Sequence, residues 1–206
     1  MFEDLRDALM KGEKTSVESL VDKALAEGVP AERILNEGLI PGMEAVGELF
    51  RASEIFIPEV LVSARAMNAG LIRLEPALVR EKVRPKGVVV IGTAKGDLHD
   101  IGKNLVAMML KGAGYRIVDL GIDVPPERFI EAARAEGAGI IACSALLTTT
   151  MAQMKNVVEA VRASGLGLPV IVGGAPVTRE FADRIGAAGY AADAAGAAEE
   201  IGRLLA

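Results

Sequence analysis

The chain has 206 residues, 51% of them apolar, a formal net charge of −5 and no Lys/Arg cluster, which argues against nucleic acid or an anionic membrane as the main partner. No stretch approaches the roughly 18 apolar residues that span a bilayer, and Met1-Phe2-Glu3-Asp4 lacks the basic start and apolar run of a secretory signal. The single cysteine, Cys143, forbids an internal disulfide and fits a reducing cytoplasm.

The first part of the chain reads as helices. Leu5, Ala8 and Leu9 share one face. Thr15-Ser16-Val17-Glu18 has the form of a capping box, and Val17, Leu20, Val21, Ala24 and Leu25 follow the stripe of an amphipathic helix. Gly28 stops that helix, and Pro30 suits the first turn of the next. A further helix is expected over 41–50. Another opens at Pro58 with the stripe Val60, Ala64, Met67, Leu71 and Leu74. Short connections between such helices predict an antiparallel four-helix bundle over 1–76. The charged, proline-bounded stretch 77–87 reads as a linker.

Beyond the linker the period changes. Apolar runs at 88–91, 116–120, 139–143, 169–172 and 190–192 alternate with helical segments at 103–112, 126–136, 149–163, 178–185 and 197–205. This is the pattern of a five-stranded parallel, doubly wound sheet of the Rossmann or flavodoxin kind over 88–206. Such sheets bind ligands outside the carboxyl ends of their strands.

The loop from Gly92 to Gly102 follows the first predicted strand and holds His99, the only histidine. Gly96 and Gly102 are expected to allow tight or left-handed turns there. Asp97, two residues before His99, can accept the second ring N–H. That bond fixes the tautomer and raises ligand basicity, as in metal-bound histidines. One histidine does not make a zinc or iron site, and Cys143 falls on a different, buried-looking strand. If His99 binds a metal, the remaining ligands come from elsewhere, and a macrocycle supplies them. Read singly, Ser144 and Leu146 fit an ordinary strand exit, Gly173-Gly174 a turn before Pro176, and Phe50 and Ile57 a bundle core.

Taken together, these residues resemble a family. Asp97-Leu98-His99-Asp100-Ile101-Gly102 matches the D-x-H-x-x-G signature of cobalamin-binding domains, Ser144-Ala145-Leu146 their S-x-L element, and Gly173-Gly174 their double glycine. In the helical part, Pro41-Gly42-Met43, Val46 to Phe50, Phe56-Ile57-Pro58 and Ser63 to Met67 look like the cap that accompanies this domain. The chain is similar to the corrinoid module of methionine synthase. In size and layout it is more similar to free-standing corrinoid proteins of methanol, methylamine and methoxyarene methyltransferase systems.

The resemblance implies a cobalamin or related corrinoid with His99 as lower axial ligand to cobalt, Asp97 holding the other ring nitrogen, and Thr150 completing a relay behind Asp97. Leu98, Asp100, Ile101 and Gly102 would flank the ligand. The displaced nucleotide tail would run beside Ser144, Leu146, Thr148, Gly173 and Gly174, where glycines leave room for it. Phe50, Ile57 and Val60 would cover the methyl group, and the cap would swing about the linker. The implied function is a cytoplasmic methyl carrier between a donor-side and an acceptor-side methyltransferase, with a reductive activase as a further partner. The alternatives are a B12-dependent sensor, the small subunit of an adenosylcobalamin mutase, or a corrinoid storage protein.

Overall fold

The computed structural model describes residues 1–205. The chain divides into two compact units, Met1–Pro85 with Lys111–Gly114, and Lys86–Leu110 with Tyr115–Ala206.

The first unit is helical. It contains α1 (Phe2–Met10), α2 (Lys14–Ala26), a short α3 (Ala31–Arg33), α4 (Ile40–Arg51) and α5 (Ile57–Arg80). A π-helical stretch, Ile34–Leu39, joins α3 to α4, so the run from Ala31 to Arg51 is unbroken. The third helix therefore starts ten residues before Pro41. The widening has a local cause. Pro41 has no N–H to give the carbonyl four residues back, and its ring crowds that carbonyl. The carbonyl belongs to Glu37, and Arg6 supplies the missing donors from Nε at 2.9 Å and Nη2 at 2.6 Å. The core of the unit comes from Leu5 and Leu9 on α1, Val17 and Val21 on α2, Met43 and Val46 on α4, and Val60, Met67 and Leu74 on α5, all buried.

Two expectations for this unit are corrected. The capping box at Thr15 does not form: α2 begins at Lys14 behind Glu13, with no side-chain cap. The last helix does not stop at Pro76. It carries on to Arg80, leaving 81–87 of the expected linker outside helix or strand.

The second unit is a parallel sheet in the order β2-β1-β3-β4-β5. Its strands are β1 (Val88–Thr93), β2 (Arg116–Asp119), β3 (Ile140–Ser144), β4 (Val170–Gly173) and β5 (Gly189–Ala191). Between and after them run α6 (Ile101–Gly112), α7 (Pro126–Glu136), α8 (Met151–Ala163), α9 (Arg179–Ile185) and α10 (Ala194–Leu205). Alternate side chains of a strand face opposite sides. Val90, Ile141, Cys143 and Val172 pack with Phe129 of α7 and Met154 and Val157 of α8. Val89, Ile91, Ile140 and Ile171 pack on the other side with Leu110 of α6 and Ile201 of α10. Both faces are covered, as a parallel sheet requires. The chain leaves β1 toward β2 on one side and later returns to place β3 on the other. The carboxyl ends of β1 and β3 therefore flank the crevice where such sheets hold ligands.

Candidate functional site

Two loops meet at that crevice. One leaves β1 at Thr93 and reaches α6 at Ile101; the other leaves β3 at Ser144 and reaches α8 at Met151. They are stitched together at their roots. Thr93 lies opposite Ser144 in register, and the Ala94 N–H donates to the Ser144 carbonyl at 2.9 Å. Gly96, at φ +81, turns the first loop back on itself. Its N–H donates to Asp123 Oδ1 at 2.7 Å.

Asp97 is the centre of the site and has no exposed surface. It accepts five hydrogen bonds. Oδ1 takes the His99 backbone N–H at 3.1 Å and lies 2.9 Å from His99 Nδ1. Oδ2 takes the N–H groups of Leu146 at 2.8 Å and Leu147 at 3.2 Å, and the Thr150 hydroxyl at 2.6 Å. Thr150 precedes α8 and is buried. Its oxygen also lies 2.8 Å from the Leu147 carbonyl, but it has one proton, and the carboxylate charge is the stronger acceptor. Burial alone would raise the Asp97 carboxyl. The hydrogen bonds from Thr150, Leu146 and His99 outweigh it and hold the group well below the usual carboxylate range. Asp97 is therefore an anion, and Nδ1 of His99 carries the proton that faces it.

The consequence falls on the other ring nitrogen. In neutral imidazole, a proton on Nδ1 leaves Nε2 with a free lone pair. The His99 side chain is 50% exposed, and no group among the described residues bonds Nε2. The backbone behind the ring is also held, with the Thr93 hydroxyl donating to the His99 carbonyl at 2.9 Å. A single, oriented nitrogen donor is thus presented to solvent.

The loops at the crevice also expose apolar side chains. Leu98 and Ile101, on either side of His99, are 68% and 75% exposed, and Leu146, Leu147 and Ile122 are exposed too. A β-carbon on Gly102, at the start of α6, would meet nothing within 4 Å. Neither packing nor a positive φ asks for glycine there, contrary to the expected left-handed turn. Among the described residues no three His, Cys, Asp or Glu side chains converge on a common point. The donor set therefore fits a metal that brings its other ligands with it in a broad apolar ring, as cobalt in a corrinoid does.

The remaining expected residues are placed as follows. Ser144 is half-buried, Leu146 and Thr148 are exposed, and Asp100 is exposed with its carboxylate accepting Asn104 Nδ2–H at 3.0 Å. Gly173 lies beside Ser144 on the strand ends. The two glycines also have a packing reason of their own. A β-carbon on Gly174, at φ +138, would lie 1.9 Å from the Ala145 carbonyl oxygen, and one on Gly173 would lie 2.8 Å from that of Ala191. They let neighbouring backbones close on each other. In the helical unit, Phe50 is half-buried, Ile57 is exposed, and Val60 has no exposed surface. Cys143 is buried; burial, helped by the Asp97 charge, pushes its thiol up to about 12, so it is not a thiolate ligand.

Sequence reasoning missed Thr93, Leu147 and Asp123. Thr93 is the one hydroxyl in an otherwise apolar strand, a readable signal. Leu147 acts through its backbone, which no residue type announces. Asp123, at φ +54 and holding Gly96, has no such signal.

Two family patterns match the chain, each described as a B12 binding domain, one over residues 87–201 and one over residues 1–75. A corrinoid protein of Desulfitobacterium hafniense is 39% identical over 210 residues, covering 100% of this chain and 97% of that protein. A dimethylamine corrinoid protein of Methanosarcina acetivorans is 42% identical over 207 residues, with 100% and 97% covered. Among solved structures, the methanol:cobalamin methyltransferase complex of Methanosarcina barkeri aligns with a TM-score of 0.85 at 32% identity. That alignment covers 98% of this chain and 78% of that one.

Proposed function

Because the chain belongs to the B12-binding corrinoid proteins, we infer that it is the corrinoid-carrying subunit of a methyltransferase system, moving a methyl group between a donor-specific and an acceptor methyltransferase. The observation that carries this reading is the His99 imidazole. Its Nδ1 is committed to Asp97 and its Nε2 is left free, on a loop that exposes Leu98 and Ile101. When bound, the corrinoid supplies a cobalt centre that takes up and gives away the methyl group. His99 would hold it through Nε2. Asp97 would steady the ring through its bond to Nδ1. Thr150 would keep Asp97 ionised and in place. Ser144, Leu146, Thr148, Gly173 and Gly174 would border the nucleotide tail. Phe50, Ile57 and Val60 would cover the methyl group.

The partners that follow are methyltransferases on the donor and acceptor sides and a reductive activase. The carrier is proposed to work in the cytoplasm. A single buried thiol and the absence, among the described residues, of a helix long and apolar enough to cross a membrane support that placement.

Since His99 is the only histidine, labelling histidine with nitrogen-15 in untagged protein labels one site. After loading with cobalamin and reduction to cobalt(II), electron paramagnetic resonance should show the two-line splitting of nitrogen-15 on cobalt. Asp97→Asn should lose it. The asparagine NH2 would face the His99 donors and turn the ring to the tautomer whose Nε2 carries the proton. A three-line splitting in the wild type, from the cofactor's own unlabelled base, would overturn the assignment.

A further inference from the structure

We propose that Lys103, acting with Asn104 and Asp119, is a positioning residue that fixes the height of His99 from the β2 side of the crevice. The proposal rests on the corrinoid reading of His99. It starts from a feature that reading does not use: a lysine on the first turn of α6 whose side chain is only 2% exposed. A buried ammonium is costly unless it is paired and hydrogen-bonded. Here Lys103 Nζ donates to Asp119 Oδ2 at 2.5 Å and to Asn104 Oδ1 at 2.6 Å. Both partners are themselves anchored. Asp119 ends β2, and its Oδ1 accepts the Gly121 N–H at 2.9 Å. Asn104 reaches back through Nδ2 to Asp100 Oδ2 at 3.0 Å, and its N–H donates to the Asp100 carbonyl at 2.8 Å.

The bonds run in series from the end of β2 to the residue that follows His99. The sheet order gives this series its meaning. β1, which delivers the His99 loop, lies between β3 and β2. On the β3 side the loop is held at Asp97 by Leu146, Leu147 and Thr150. On the β2 side it is held at Asp100 by Asn104, Lys103 and Asp119. His99 stands between the two anchors, two residues from one and one from the other. Asp97 sets the direction and tautomer of the ring. The second anchor sets how far the loop, and with it Nε2, rises above the strand ends. Between the anchors Leu98 is exposed, and the His99 carbonyl accepts the Thr93 hydroxyl at 2.9 Å, which ties the residue to β1 as well.

Lys103→Met keeps the buried stem and removes the ammonium, leaving Asp119 a side chain already 39% exposed to water. Asn104→Ala cuts only the link to Asp100 and decides the matter if the first variant does not fold. Arg116→Ala, which opens the exposed Arg116–Glu136 pair at the opposite end of β2, is the control. Two readouts are used. In the cobalt(II) form with nitrogen-15 histidine, both variants should bind corrinoid stoichiometrically. The ratio of His99-free to His99-bound cobalt should rise by about tenfold, the lower end of what losing an outer-shell partner does to metal affinity. In the protein without corrinoid, the Asn104 amide should exchange hydrogen about tenfold faster as its turn loosens, while the Leu146 amide, on the other anchor, keeps its wild-type rate. Splitting unchanged from wild type in both variants, with Asn104 amide exchange unchanged in Lys103→Met, would overturn the proposal. So would a parallel rise of Leu146 and Asn104 exchange, which would make the lysine a general stabiliser. If the wild type itself lacks the nitrogen-15 splitting, the corrinoid assignment of His99 fails, and the exchange comparison still decides whether the second anchor exists.

Discussion

Asp97 holds an ionised carboxylate in a position with no access to water, and five donors make that tolerable. Removing one has a calculable cost. Thr150→Val keeps the shape of the side chain and deletes the 2.6 Å bond, so stability at neutral pH should fall by about 1.5–3 kcal/mol, the usual range for a hydrogen bond to a charged group. The pH dependence has a definite sign. A carboxyl held below its unfolded value stabilises the fold above that value, and the contribution disappears as pH falls through the depressed one. The wild type should therefore lose urea resistance from about pH 4 downward. Thr150→Val should start lower and lose less, and the two should converge in strong acid. Curves that run parallel down to strong acid would refute the account. Thr150→Ser should restore the wild-type curve. The Asp97–His99 pairing was legible in the sequence because both act through side chains of distinctive chemistry two residues apart, whereas Thr150 was reached only through the family resemblance. Leu147 was not, because its contribution is a backbone N–H.

At the scale of elements, legibility followed punctuation. The expected helix 126–136 agrees at both ends with α7, which follows Pro125 and is stopped by Gly137 in the left-handed conformation, φ +62. α10 begins at Ala194, three residues before the expected start. Its alanine-rich opening has no periodic edge, and the informative residue is Asp193, whose carboxylate accepts the Gly196 N–H. Pro41 was in view, but the donor that satisfies the carbonyl it leaves unpaired was not: Arg6 lies 31 residues from Glu37. The double glycine has a second reason that the sequence did not show. The carboxyl ends of β3 and β4 are close enough at Gly174 that a methyl group has no place between them. Gly174→Ala should accordingly cost several kcal/mol, about 3 or more, by combining an adverse φ with a backbone collision. Chemical denaturation should show this even without corrinoid. A loss seen only in corrinoid uptake would favour the original reading, in which the glycine leaves space for the nucleotide tail.

At the scale of the molecule, the change of hydrophobic period near residue 87 marks a change of architecture, from helices to a parallel sheet. The exact limit of the helical part was less legible, because Pro76 reads as a stop yet sits inside a 24-residue helix. What remains between Arg80 and β1 is 81–87, mostly exposed and without regular structure. Brief trypsin treatment of the native protein should cut first after Lys82 and Lys86, Arg84 being shielded by Pro85. The products would be a helical fragment and a sheet fragment. First cuts inside α5 or α6 would show that the joint is better protected than its exposure implies.

Leu146 and Leu147 offer Asp97 only their main-chain N–H groups, while their side chains are exposed. Anchoring and surface chemistry are thereby uncoupled at these two positions. The outward groups can be exchanged for others of different bulk or polarity, as a redesign for an altered macrocycle would require, without touching the bonds that keep the imidazole aimed.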